Sequence, residues 1–322
     1  MVALVGVYFS TVASAIHLWN TSSAYNYAYL ILPISLALIW ADRHELARNA
    51  PQPTLWGPAA AFAFSGAWLL ADVLSIDEGR HFAFVGMMLS LALALLGWRI
   101  VRFLAFPMLY LFFLVPTGTF LLEPLQTLAH SANVMLLKAS GVPVFAEGFL
   151  IQVPTGSFVV EPGCAGLNFF LVALALSLLY GRLTYKTLFA RITCVIAALA
   201  ISILANIIRI YLIIGLAQAT DRKIDITADH ILYGWGFFSI VMLCAMWAGT
   251  KVKAEPAPPR ALRPVAAGAP TILQTGGVAA VFVLAVAFSP VLAATSPVRN
   301  ALQSHSGALA ERIGVSGPLS GE

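Results

Sequence analysis

Charge is what this chain has least of. Only 10% of its 322 residues are Asp, Glu, Lys or Arg, and 60% are hydrophobic. A soluble domain carries about 25% charged residues, so a chain this apolar lacks the polar groups to cover its own surface, and lipid must cover it instead. Cysteine is also scarce. Cys164, Cys194 and Cys244 are too few and too far apart for a disulfide framework or a zinc knuckle. No CxxC, HExxH or Walker-type loop occurs, so neither a metal nor an organic cofactor is expected. The net charge of +4 is dispersed between apolar runs rather than gathered in a patch. That pattern makes the lipid bilayer, not nucleic acid, the expected partner. The first apolar stretch has no basic n-region and reads as a retained span rather than a cleaved signal.

What is present is a series of long apolar runs, with a mean hydropathy of +0.88. They cover 2–18, 27–41, 55–74, 82–97, 103–116, 165–181, 192–216, 230–249 and 272–294. At about 20 residues per span they predict an all-α, polytopic transmembrane bundle of eight to nine spans. The run 103–116 is short for a full span. The expected organisation is a transmembrane domain over 1–250 with a core at 161–250. A Pro- and Ala-rich cytoplasmic linker follows over 251–270, then one additional span and a polar periplasmic tail over 271–322.

Orientation follows from the basic residues. Arg43 and Arg48, Arg99 and Arg102, Arg182, Lys186 and Arg191, then Lys251, Lys253, Arg260 and Arg263 fall in alternate loops. The opposite loops carry only Arg80, Lys138, Arg222 and Lys223. The positive-inside rule places the first set in the cytoplasm, as expected for a multi-pass bacterial inner-membrane protein. One periplasmic loop, 117–163, is too long for a simple connector. Its first part reads as an amphipathic surface helix, and AEGFLIQVPTGSFVVEPG as a short hairpin.

Three polar groups stand out against this background. Arg209 lies inside the seventh run, in ANIIRIYLIIG. A guanidinium at such a depth costs roughly 2.5–3.5 kcal/mol on translocon scales, so it must face protein, water or a partner, or snorkel to the surface. Asn206, three residues earlier, shares its helix face. Cys164 sits in EPGCAGLNFF, at a loop-to-helix junction after Glu161, with Asn168 one turn deeper. A helix N-terminus favours thiolate, although a cysteine is often only a small core residue. Cys194 and Cys244, embedded in apolar helix, read as structural. His230 opens the eighth run in DITADHILYGWGFF, with Asp229 a possible N-cap and Tyr233 a turn later. It is a candidate proton carrier or an ordinary interfacial residue. The loop charges put all three groups in the outer half of the membrane. Nucleophile, proton carrier and cationic stabiliser are the components of thiol acyl transfer.

The pieces EPGCAGLNFF, ANIIRI and ADHILYGWGFF, in that order, resemble the catalytic core of the exosortase/archaeosortase family, and DHILYGWGFF resembles its proteobacterial exosortase A group. The family's proposed catalytic cysteine, arginine and histidine fall here on Cys164, Arg209 and His230; its usual serine after the cysteine is Ala165. The resemblance implies a cysteine peptidase and transpeptidase. Its substrates would be membrane-anchored proteins with a C-terminal Pro-Glu-Pro motif, a span and a basic cluster. It would cleave them at the periplasmic face through a thioester and pass the product to an unknown acceptor nucleophile. The reading from another class is a non-catalytic transporter or lipid- and anion-binding protein of the envelope polysaccharide machinery, in which Arg209 binds an anion and Cys164 is dispensable.

Overall fold

The computed structural model describes residues 2–220, 230–251, 262 and 271–295. The expected linker 251–270, apart from Lys251 and Leu262, and the tail beyond Thr295 lie outside the described residues. Each apolar run forms helix. The helices are α1 (Val2–Val7), α2 (Phe9–Thr21), α3 (Ala28–Ala41), α4 (Arg43–Ala47), α5 (Trp56–Val73) and α6 (Asp77–Phe103). They continue with α7 (Ala105–Tyr110), α8 (Leu122–Ala139), α9 (Leu167–Thr184), α10 (Leu188–Ala219), α11 (His230–Lys251) and α12 (Ile272–Thr295).

Among the described residues, four helices are long and apolar enough to cross a membrane: those within Asp77–Phe103, Pro162–Thr184, Leu188–Ala219 and Leu273–Ala293. A fifth is counted if Ala105–Leu114 and Thr119–Ala139, bent by 69°, form one span. This makes the chain a multi-pass membrane protein with four to five such spans among the described residues, where eight to nine are expected for the chain as a whole. Some of the expected spans are broken or short in the structure. The first run divides at Tyr8 into α1 and α2. α3 has only 14 residues, about 21 Å at 1.5 Å each. The run 103–116 is the short limb of the bent pair.

The chain divides into two compact units. The first comprises Met1–Leu18, Ala28–Pro116 and Ala261–Glu322. In it α5 packs against α6, and α12 packs along α5. Tyr8, Trp68, Met87, Phe282 and Val286 form its core. Pro290, inside α12, has no N–H for the carbonyl of Val286 four residues earlier. The Tyr8 hydroxyl donates to that carbonyl at 2.7 Å and joins Ser289 at 2.9 Å, which in turn meets Ser65 at 2.6 Å. The second unit comprises Trp19–Tyr27 and Thr117–Arg260, and it holds all the candidate site residues. Here α10 packs against α8, α9 and α11.

Over the loop 117–163 the helix is present, as α8, and it lies along α10 with Gln126, Ala129, Asn133 and Leu137 buried. The expected hairpin gains a third strand. β1 (Phe145–Glu147), β2 (Leu150–Val153) and β3 (Gly156–Val159) form an antiparallel sheet in the order β1-β2-β3. The alternation of the sequence explains why. Ile151, Val153 and Val160 turn inward onto Ala129, Leu137, Ile210 and Ile214, and the residues between them face out.

Candidate functional site

The segment Glu161–Leu167 is shaped by one proline, Pro162, and by the glycine at 166. Pro162 opens a 3-10 turn over Pro162–Cys164, a position where its fixed φ is preset and its missing N–H costs nothing. Cys164 N–H donates to Glu161 O at 2.8 Å and Ala165 N–H to Pro162 O at 3.2 Å. Gly166 then adopts φ +86° as the N-cap of α9. That left-handed conformation disfavours any residue with a Cβ. Space forbids one as well, because a Cβ there would lie 2.7 Å from the Asn206 amide.

Two buried amides hold this segment from neighbouring helices. Gln126 of α8 donates to Val160 O at 2.5 Å, and Asn206 of α10 donates to Cys164 O at 3.1 Å. An unpaired carbonyl in an apolar setting costs about 1–3 kcal/mol. Each amide therefore satisfies a carbonyl that the turn leaves without a ladder partner, and each fixes the backbone on one side of the thiol.

Arg209 faces protein. Its side chain is buried at 9% exposure, and it lines the same cavity as the half-buried Cys164. It lies over the Phe169 ring at 5.1 Å, a cation–π contact, and Phe169 stacks on Phe238 of α11 at 4.5 Å. Gly234 of α11 makes room for it, since a Cβ at 234 would come within 2.6 Å of Arg209 Nη1. Cys164, Arg209 and Glu161 line one cavity of about 310 Å³, together with Ser157–Val160 and the α10 residues Ile210, Ile213 and Ile214.

Three buried polar atoms of candidate site residues have no partner among the described residues: Arg209 Nε, on a residue that lines the cavity, and Asn206 Oδ1 and Asn168 Oδ1. Asn168 is buried in the first turn of α9. His230 is the first residue of α11, four positions before the glycine that touches Arg209, but its side chain and that of Tyr233 lie outside the described residues, as does Asp229 altogether. The structure thus brings Cys164, Arg209, Asn206 and Glu161 together. No group of three or more His, Cys, Asp or Glu able to hold a metal occurs among the described residues.

The other cysteines are elsewhere. Cys244 is exposed. Cys194 lines a second, largely apolar cavity of about 480 Å³ between α9, α10 and α11 with Tyr180 and Tyr185, so it does have hydroxyl neighbours. Sequence reading does not single out Gln126, Phe169 or Gly234. Gly234 stands in a stretch quoted above, and a glycine inside an apolar helix is the available signal.

A family model described as transmembrane exosortase (Exosortase_EpsH) matches residues 19–247. No curated protein and no solved structure matches the chain. The matched stretch covers most of the 322 residues and contains the whole cysteine–arginine cavity, and the chain therefore belongs to the transmembrane exosortase family.

Proposed function

We propose that this protein is a membrane-embedded cysteine peptidase and transpeptidase of the bacterial inner membrane. It acts at the periplasmic face on proteins carrying a C-terminal sorting signal of the Pro-Glu-Pro, span and basic-cluster type. One observation carries the reading: a buried guanidinium and a half-buried thiol line a single cavity, within a family of membrane exosortases. An arginine is expensive at this depth, and a position beside a nucleophile is one that could recover that cost in catalysis.

In the mechanism, the Cys164 thiolate attacks the scissile carbonyl. A C–S bond forms and the oxyanion gathers charge beside Arg209. Collapse breaks the C–N bond, and the leaving amine takes its proton from His230, leaving a thioester on Cys164. The acceptor nucleophile then gives a proton to His230, attacks the thioester and releases the thiol. Asn206 holds the carbonyl of Cys164 itself, so the thiol is presented from a fixed backbone.

The test is processing of a membrane-anchored protein with such a signal, followed by its gel mobility at matched enzyme levels. Cys164→Ala is expected to abolish processing, and Cys194→Ala and Cys244→Ala to leave it intact. The thiol is small, so its removal leaves little cavity and the variant should stay folded. Full processing by Cys164→Ala would refute thiol catalysis and favour an anion-binding transporter centred on Arg209.

A further inference from the structure

Among the described residues, β3 pairs only with β2, which leaves its other edge open beside this cavity. Ser157, Phe158, Val159 and Val160 line the cavity that holds Cys164 and Arg209. The register shows which backbone groups reach that edge. Val160 N–H donates to Phe149 O at 3.0 Å. Ile151 stands opposite Phe158, and Val153 opposite Gly156. Residues that exchange bonds alternate with residues that do not along an antiparallel ladder. Gly156, Phe158 and Val160 therefore turn their backbone groups to β2. Ser157 and Val159, both exposed, turn theirs to the open edge. Val159 O accepts from Glu161 N–H at 3.0 Å. The groups left for a partner are the N–H and carbonyl of Ser157 and the N–H of Val159.

We propose that the substrate segment binds as a fourth strand on β3, parallel to it and running toward Cys164. This rests on the sorting-signal reading above. In a parallel ladder a residue donates to the residue before its opposite number and accepts from the one after. A substrate residue opposite Phe158 would use Ser157 O and Val159 N–H, and both are on the edge. An antiparallel residue opposite Ser157 could also use both Ser157 groups, so the motif decides the direction. An antiparallel strand with its Glu opposite Phe158 would put the two prolines opposite Ser157 and Val159, where the partner must donate an N–H that proline lacks.

Side chains opposite one another share a face. The residue opposite Phe158 would thus project on the face that packs toward Ile210 and Ile214 of α10, the helix from which Arg209 enters the cavity. A carboxylate there complements a buried cation. The ion pairs Arg48–Glu45, Arg80–Asp72 and Arg80–Asp77 do not involve Arg209. A Pro-Glu-Pro segment suits this edge for a further reason. With Glu opposite Phe158, its N–H and carbonyl both face β3. The two prolines, which have no N–H, turn their nitrogens to the outer side, where no donor is needed. The residues after the motif run past Val160 and Glu161 toward the thiol, so the bond presented for cleavage lies C-terminal to the motif.

The experiment is disulfide trapping. The full-length enzyme carries Cys164→Ala, Cys194→Ala and Cys244→Ala, with either Ser157→Cys or Val159→Cys added. The probe is a membrane-anchored test protein ending in Pro-Glu-Pro, an apolar span and a basic cluster, with one proline at a time replaced by Cys. Ser157→Cys is expected to couple to the first proline position and Val159→Cys to the second, each about tenfold better than the crossed pairs. The reverse preference would overturn the parallel direction. Equal or absent coupling would overturn binding at this edge. Processing of the unsubstituted probe by the wild-type enzyme is measured alongside. Processing without coupling defeats the added strand alone, whereas coupling without Cys164-dependent processing defeats the peptidase reading beneath it.

Discussion

Replacing Gly166 by Ala tests how the nucleophile is held. Two penalties are expected, and they have different origins. The left-handed φ of +86° costs an alanine about 1–2 kcal/mol. The new Cβ would also sit 2.7 Å from Asn206 Cγ and Nδ2, so the amide must swing away and give up its bond to Cys164 O. That loss adds about 1 kcal/mol. Asn206→Ala alone removes the same bond and leaves the same carbonyl unpaired. In the double variant the clash is gone and the bond can be lost only once. The double variant should therefore cost about 1 kcal/mol less than the two singles added together, a coupling measurable by a double-mutant cycle. The assay is thermal unfolding of the purified protein in detergent, with processing of the test substrate followed in parallel. Strict additivity would mean that Gly166 and Asn206 do not meet as described, and the account of how Cys164 is positioned would fall.

Gly234→Ala should lower processing at least tenfold, because its Cβ displaces the guanidinium. Its stability should hold or rise, since alanine favours helix over glycine by about 1 kcal/mol; unchanged processing would show that the guanidinium position is immaterial. Arg209→Lys should lose processing although charge is kept, because an ammonium lacks the planar fork that can meet a thiol and a substrate oxygen together; wild-type rates would contradict this. Tyr8→Phe should destabilise the protein by about 1–3 kcal/mol in detergent melting, as it strands the Val286 carbonyl. Pro290→Ala supplies that carbonyl with a helix donor and should shrink the loss; an undiminished loss would refute the proline explanation.

Much of the architecture was legible because lipid leaves few choices. A run of apolar residues in this setting becomes helix, and every run read from hydropathy did. The break in the first run was not legible, because it falls at Tyr8, whose hydroxyl meets Ser65, Val286 and Ser289, partners far away in sequence. The third strand was missed for a related reason. β1 is only three residues long and fully exposed, so it carries no inward alternation to announce it. At the site, Cys164, Arg209 and Asn206 were marked by polarity in an apolar context. Gln126 was not, because it lies in a mixed helix where one more polar residue attracts no notice. Phe169 was invisible for the opposite reason, being one apolar residue among many, and only the packing reveals that Arg209 rests on it.

The buried polar groups of this chain meet the fold in two ways, and Asn206 does both. In an apolar medium each carbonyl released from its ladder must find another donor. Tyr8 serves Val286, Gln126 serves Val160 and Asn206 serves Cys164. These side chains have found their partners within the fold, and each marks a place where the backbone breaks regularity and is then fixed. Ser90, which donates to Gly86 O at 2.8 Å, belongs with them as a helix residue satisfied within its own turn. Other atoms the described fold leaves unmet, and among the candidate site residues these are Arg209 Nε, Asn206 Oδ1 and Asn168 Oδ1. Each would cost stability if nothing ever met it. Of these, Arg209 lines the same cavity as the thiol and β3, where a peptide backbone, with its own alternating donors and acceptors, can offer the carbonyl that its Nε lacks.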